Sequence, residues 1–381
     1  TCAIAVAQPR PWLVLMKIAV NAWFLDTPHE TLTGSGQYAR HVLDALRDIA
    51  PDLQLECVHP RSRANLAKLQ FEQIEFPREA KRMQARLAFV PYWAPPLASS
   101  VPVVVTIHDV IPLALLAYRG GVLQRMYASL VRAASPNAAA VITDSEFSKH
   151  DLLKHLSVAP ERVTVVPLAA ETRFTPNIPD DERSRVADKY GLPERYVLYL
   201  SGFDARKNIE TLLQVYVWCG ETIGEEYPLV INGTPDTPVL TESGERTTLG
   251  AMVEALDVTD VVHLIGRVDE ADKPAIYVGA RALLFPSEYE GFGLSLLEAM
   301  ACGVPVVGSN AASIGEVVGN AGMLVEPKNA RRMAGALIAT CTEDDLNERL
   351  RQRAVLRSVQ YTWQRTALET YAVFKRVIEG R

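Results

Sequence analysis

From Lys17 onward the chain alternates short apolar runs with longer amphipathic stretches, the strand, turn and helix rhythm of an α/β protein. In the first half the apolar runs are KIAVNAW, LQLECV ending at Val58, VPVVVTI ending at Ile107, AAAVIT ending at Thr143 and RVTVVPL ending at Leu168. Between the first two, QYARHVLDALRDIA sets Tyr38, Val42, Leu43, Leu46 and Ile49 on one helical face. Ser145 stands where it can cap a helix through EFSKHDLLKHL. The rhythm stops at ETRFTPNIPDDERSR, where two prolines and four acidic residues replace any apolar period, and a linker is expected there. It restarts with RYVLYLSG, YPLVING, VVHLIG, RALLFPS and VPVVGS, the signature of a second parallel sheet. The expected architecture is two Rossmann-like domains facing each other across a cleft, over residues 16–178 and 185–360. A final helix within 361–381, capped by Thr362 and apolar through Trp363, Leu368, Tyr371, Phe374 and Val377, is expected to cross back onto the first domain.

Composition narrows the functional classes. A length of 381 residues suits two domains, and a net charge of −6 gives no overall field that would attract nucleic acid. Five separated cysteines without a C-x-x-C pair fit reduced thiols in a cytoplasmic protein. There is no H-E-x-x-H zinc motif and no apolar run of about 18 residues. Residues 1–15 read as an extension upstream of a start at Met16. One stretch departs from the acidic average: Arg61 to Arg86 holds seven basic residues against three acidic ones. It is either a solvated helix and loop face or a patch for peripheral contact with anionic lipid at the inner face of a membrane.

In an open parallel sheet, ligands sit beyond the carboxyl ends of the strands. The richest such place is FPSEYEGFGLSLLEAMACGVPVV. Gly291 and Gly293 let the backbone approach a ligand, and Leu294 to Cys302 form a helix, closed by Gly303, whose free N–H groups and dipole make an anion cradle. With the helix starting near Phe292, Glu290 and Glu298 are roughly 9 Å apart along its axis. That is too far to share a proton and suits two ends of one ligand. Arg206 and Lys207 follow another strand end, where paired cations can neutralise a diphosphate. His108 and Asp109 close a strand on the opposite domain, and Gly34, Ser35 and Gly36 form a loop able to bring backbone N–H groups to a diphosphate or an acceptor.

The pattern E, seven residues, E within SEYEGFGLSLLEAMACGVPVV resembles the signature of the retaining glycosyltransferases of family 4, which have the GT-B fold. SGFDARKN resembles that family's G-x-x-x-R-K loop, VVVTIHDVIPL its T-I-H-D strand end and GSGQYARHVLDAL its glycine-rich first helix. TDSEFSKHDLLKHL followed by RVTVVPLAAETRF is similar to its usual first-domain ending. The resemblance implies that Glu290 contacts the donor sugar, Glu298 the ribose, and His108 the sugar near the reacting carbon. Gly202, Arg206 and Lys207 would serve the diphosphate, with Gly291, Phe292, Gly293 and Leu294 lining the donor. Phe203 stands where many relatives carry arginine. The implied reaction moves a hexose from a nucleotide diphosphate sugar to a glycan or lipid-linked glycan acceptor in cell-surface polysaccharide synthesis; the R-K-N form of the loop suggests mannose. No other cofactor is expected. No metal is expected either, since the chain lacks D-x-D and Arg206, Lys207 and the helix dipole can take a cation's place.

Two rivals stay open at this level. Gly34-Ser35-Gly36-Gln37-Tyr38-Ala39 satisfies the G-x-G-x-x-A fingerprint of NAD-dependent oxidoreductases, with Glu56 twenty residues after Gly36. However, NAWFLDTPHETLT separates it from the strand it should follow directly. A nucleotide-sugar epimerase would share the GT-B architecture.

Overall fold

The computed structural model describes residues 16–25, 34–63, 67–115, 118, 120–241 and 243–380. The strands of the first domain are β1 (Met16–Asn21), β2 (Leu53–Val58), β3 (Leu87–Val90), β4 (Val103–Thr106), β5 (Ala140–Thr143) and β6 (Val163–Val165). They form one sheet in the order β2-β1-β3-β4-β5-β6, with every pair parallel. The second domain contributes β7 (Val197–Tyr199), β8 (Leu229–Ile231), a ribbon of β9 (Pro238–Leu240) with β10 (Arg246–Thr248), then β11 (Val262–Leu264), β12 (Ala282–Phe285), β13 (Val306–Ser309) and β14 (Gly322–Val325). Its sheet is also parallel, in the order β11-β8-β7-β12-β13-β14. Every residue of β3, β4, β5, β7, β8, β12 and β13 is buried, as strands covered by helices on both faces must be. Chain order reverses between β1 and β3 in one sheet and between β7 and β12 in the other. At such a reversal the outgoing crossovers diverge to opposite faces and leave a crevice at the strand ends.

Several sequence expectations change. The apolar run LAFV of β3 was not anticipated: it is four residues long, follows the basic stretch and has no turn signal before it. β14 and the ribbon were missed as well. RVTVVPL is a strand only as far as Val165. The second half of the expected linker is a helix, Asp180–Tyr190, whose first turn holds Asp180, Asp181 and Glu182, where carboxylates favour the helix dipole. Gly34, Ser35 and Gly36 are not a loop but the first turn of the helix Gly34–Ile49.

The last helix, Trp363–Glu379, begins as expected, with the Thr362 side chain accepting from the Arg365 N–H. Its buried face is Thr366, Ala367, Thr370, Val373 and Phe374, while Leu368 is exposed. This helix packs on the first domain. It lies against Gly34–Ile49, sets Phe374 edge-on to Phe89 at 5.0 Å, and donates from Tyr371 to Asp52 and from Arg376 to Thr164. Thr366 also donates to the Pro167 carbonyl at 2.7 Å.

Candidate active site

The loops after β7 and β12 meet at the switch point of the second sheet. The Glu288 N–H donates to the Arg206 carbonyl at 2.8 Å, tying one loop to the other. After β7 the chain makes one 3₁₀ turn, Ala205–Lys207, and Asn208 then takes a left-handed conformation and caps the helix Ile209–Cys219 through Thr211 N–H. That turn aims both cations at the β12 loop. Arg206 Nη1 lies 2.7 Å from Glu290 Oε2 and Lys207 Nζ 2.6 Å from Glu290 Oε1. All three side chains are largely buried. Burial alone would raise the Glu290 pKa, but Lys207 and then Arg206 outweigh it, and the carboxyl is held below its ordinary value. Glu290 is therefore a fixed anion and cannot serve as a proton donor near neutral pH.

Gly293, at φ 98°, is the left-handed turn before the helix Leu294–Ala301, which begins at Leu294 as expected. Gly303, at φ 73°, ends that helix as expected. Glu298, inside the helix, is 7% exposed and accepts from Tyr277 at 3.2 Å. Burial pushes its pKa up to about 7; Lys273 pulls it down and Glu270 pushes it further up. The two glutamates thus occupy opposite electrostatic settings. One turn before Glu298, Ser295 lines a cavity of about 540 Å³ together with Gly202, Asn232, Arg267, Glu270 and Lys273. Gly202 is the one member of the sequence-predicted set in that wall, because Glu290, Arg206 and Lys207 are turned toward one another beside it.

Across the cleft, His108 follows β4, and its Nδ1 lies 2.8 Å from Asp144 Oδ2. Burial lowers the imidazole pKa, but the charge and hydrogen bond of Asp144 prevail, so the net shift is upward. Tyr38, one turn into Gly34–Ile49, meets the His108 ring edge-on at 4.6 Å, which puts the glycine-rich first turn near this wall. Asp109 accepts from the Ile111 N–H, and its carbonyl accepts from Trp93 Nε1. It positions the loop.

The domains are in close contact at Gly291. A β-carbon there would lie 2.7 Å from the His108 carbonyl oxygen and 3.0 Å from Asp109 Cβ, so no other residue fits without moving the domains apart. The Gly291 carbonyl accepts from Ser145 at 2.6 Å and from Ser148 at 2.8 Å. Glu316 receives the N–H groups of Glu146 and Phe147 at the start of the first-domain helix Glu146–His155, whose Ser145 cap is as expected. Tyr118 donates to Asp204 and accepts from the Arg206 N–H, and Tyr289 donates to Asp151. Glu290 and its cations are thereby held against the His108 wall.

Sequence reasoning missed Asp144, Lys273, Arg267 and Asn232. Asp144 and Asn232 each directly follow a strand, the position that flagged His108, whereas the two cations lie beyond the end of β11 with no motif around them.

Two facing Rossmann-like domains, with a buried cluster of Glu290, Arg206 and Lys207 at the switch point of the second, have the GT-B architecture. Comparison with known proteins agrees. Residues 180–357 match the model of "Glycosyl transferases group 1", and residues 35–174 that of "Glycosyltransferase Family 4". The O-antigen chain mannosyltransferase B of Escherichia coli is 30% identical over 273 residues, 71% of this chain and 70% of that protein. The serotype-specific mannosyltransferase WbdA, also of Escherichia coli, is 28% identical over 287 residues; these make up 74% of this chain but 35% of that protein. Among solved structures, Anabaena HepE in complex with UDP-glucose superposes with a TM-score of 0.69 at 17% identity, over 94% of this chain and 99% of that one. The chain belongs to the family 4, group 1 glycosyltransferases, and is an enzyme acting on nucleotide-sugar donors. The oxidoreductase reading of Gly34-Ser35-Gly36 falls with that assignment.

Proposed function

We propose that this glycosyltransferase moves mannose, with retention, from guanosine diphosphate mannose to a hydroxyl of a glycan or lipid-linked glycan, in the building of a surface polysaccharide. The buried Glu290, Arg206 and Lys207 cluster, set at the β7/β12 switch point and pressed against the His108 loop, carries the reading. The mannosyltransferase relatives support the choice of sugar. The donor lies on the second domain, with the diphosphate on Arg206, Lys207, Gly202 and the turn through Gly291, Phe292, Gly293 and Leu294. Its ribose hydroxyls reach Glu298 and its sugar hydroxyls reach Glu290. The acceptor enters from the first domain, past Gly34, Ser35 and Gly36.

The acceptor oxygen bonds to the anomeric carbon on the face from which the phosphate oxygen leaves. The acceptor's proton passes to that departing oxygen, so configuration is kept and no enzyme carboxylate need act as nucleophile. Arg206 and Lys207 stabilise the charge collecting on the diphosphate, and His108 stabilises the positive charge on the sugar. Nucleotide release should be measured across a panel of guanosine, uridine and adenosine diphosphate sugars, with the product's anomeric configuration read by NMR. GDP-mannose should give the highest rate and an α-linked product. A clear preference for another donor would overturn the choice of sugar, and an inverted product the mechanism.

No described helix is long and apolar enough to cross a membrane. Peripheral contact at the inner face of an anionic membrane is supported by Arg78, Lys81, Arg82 and Arg86, all exposed, beside the exposed Leu69 and Ile74. Co-sedimentation with vesicles should rise with anionic lipid content and fall with salt. Binding indifferent to both would remove this contact.

A further inference from the structure

The second sheet has another polar cavity, at the opposite edge from the donor site. Arg195, Tyr227 and Arg281 stand just before β7, β8 and β12, and with Arg351 from the helix Asp344–Ser358 they border a space of about 420 Å³. Three arginines line it. The guanidinium groups of Arg195 and Arg281 lie 6.0 and 5.9 Å from the centre of the Tyr227 ring. Two of the three have carboxylate partners, Glu226 for Arg195 and Asp344 for Arg281, the latter at 2.6 Å. Both partners are more than half exposed, so water screens much of their charge.

Arg351 is different. It is half-buried and lines the cavity, and among the described residues no hydrogen bond or ion pair joins it. Glu348 on its own helix attracts it weakly from beyond ion-pair distance, whereas Arg281 and Arg183 repel it. Burial and these two neighbours lower its pKa. A half-buried guanidinium with no carboxylate partner, repelled by Arg281 and open to the cavity, is a ready contact for an anion. Arginine's planar fork fits oxyanions in pairs of hydrogen bonds, and the cavity has the size of a small-ligand pocket.

We propose that this cavity is a second anion site, distinct from the donor cleft, which binds a tetrahedral phosphate group through Arg351, Arg281 and Arg195. The group is either inorganic phosphate or the phosphate of a small monoester.

Thermal-shift titrations of the full chain test this, using sodium phosphate, sodium pyrophosphate and mannose 1-phosphate at constant ionic strength. The proteins are the unmodified chain, R351Q, R195Q and K207Q. Saturable stabilisation is expected for the unmodified chain and for K207Q, with apparent affinity at least about tenfold weaker in R351Q. R195Q, on the exposed rim, should show the same direction and covers the case in which R351Q folds poorly. Tighter binding of mannose 1-phosphate than of phosphate would identify a monoester, and the reverse free phosphate. The proposal is overturned if phosphate does not stabilise the unmodified chain, if both arginine variants respond like it, or if only K207Q loses the response. Failure of the donor-site reading would appear separately, as missing nucleoside diphosphate binding, which involves none of these arginines.

Discussion

Replacing Glu290 by alanine is expected to abolish sugar transfer, lowering kcat by about a thousandfold or more. Glu290 holds Arg206 and Lys207 in fixed positions and, in the proposed function, offers its remaining acceptor capacity to the donor sugar. Without it, among the described residues, the buried Lys207 has no carboxylate partner and Arg206 keeps only Asp204, at 3.0 Å. Loss of one partner from such a cluster costs about 3–5 kcal/mol, so the variant should also melt earlier. Glutamine at this position separates the two effects. E290Q keeps the volume and one acceptor, and should recover most of the thermal stability while remaining severely impaired in transfer. Steady-state nucleotide release beside a thermal melt reads both quantities. Near-normal rates for E290A would refute the central role given to this residue.

Glu298→Ala should act on binding instead. A carboxylate gripping two ribose hydroxyls is worth about 2–3 kcal/mol, so the donor KM should rise by about 30- to 150-fold with a much smaller change in kcat. The pH dependence gives a second signature. Burial raises the Glu298 pKa to about 7, and in the proposed function the ribose hydroxyls need the ionised form as acceptor. Donor affinity in the unmodified enzyme should therefore climb with pH up to about 7 and level off above it, falling by up to about tenfold per unit below. E298Q should flatten that slope. The effect on folding has the opposite sign. The folded chain favours the neutral acid, so the stability associated with this group is full below the ordinary glutamate range, about 4.3, and is lost as pH rises toward about 7. Donor affinity independent of pH between 5.5 and 8 would contradict the ribose role.

Most of the fold was legible because a parallel sheet buried on both faces leaves continuous apolar runs, as in VVVT, AVIT and ALLF. Segments that failed lacked that contrast. LAFV is short and embedded in a basic stretch, and DDERSRVADKY has one fully buried side chain, Val186, so no apolar period marked it as helix. In the candidate site, residues sharing one loop and helix could be read together, as Glu290, Gly291, Gly293 and Glu298 were. Pairings between distant segments could not. Nothing local to His108 points to Asp144 thirty-six residues on, and nothing near Arg206 shows that Tyr118 and Glu290 will hold it from two sides. The shifted pKa values arise from those pairings and from burial, which is why identical glutamates eight residues apart titrate in opposite directions.

The chain passes between the domains twice, once after β6 and again where it enters Trp363–Glu379. The hydrogen bond from Thr366 to the Pro167 carbonyl fastens those two passages side by side. Two covalent strands joined along one edge behave like the spine of a book. A swing of the second domain about that edge strains neither strand. Such a swing would peel the Gly291 and His108 surfaces apart, and each point of the cleft wall would travel in proportion to its distance from Pro167.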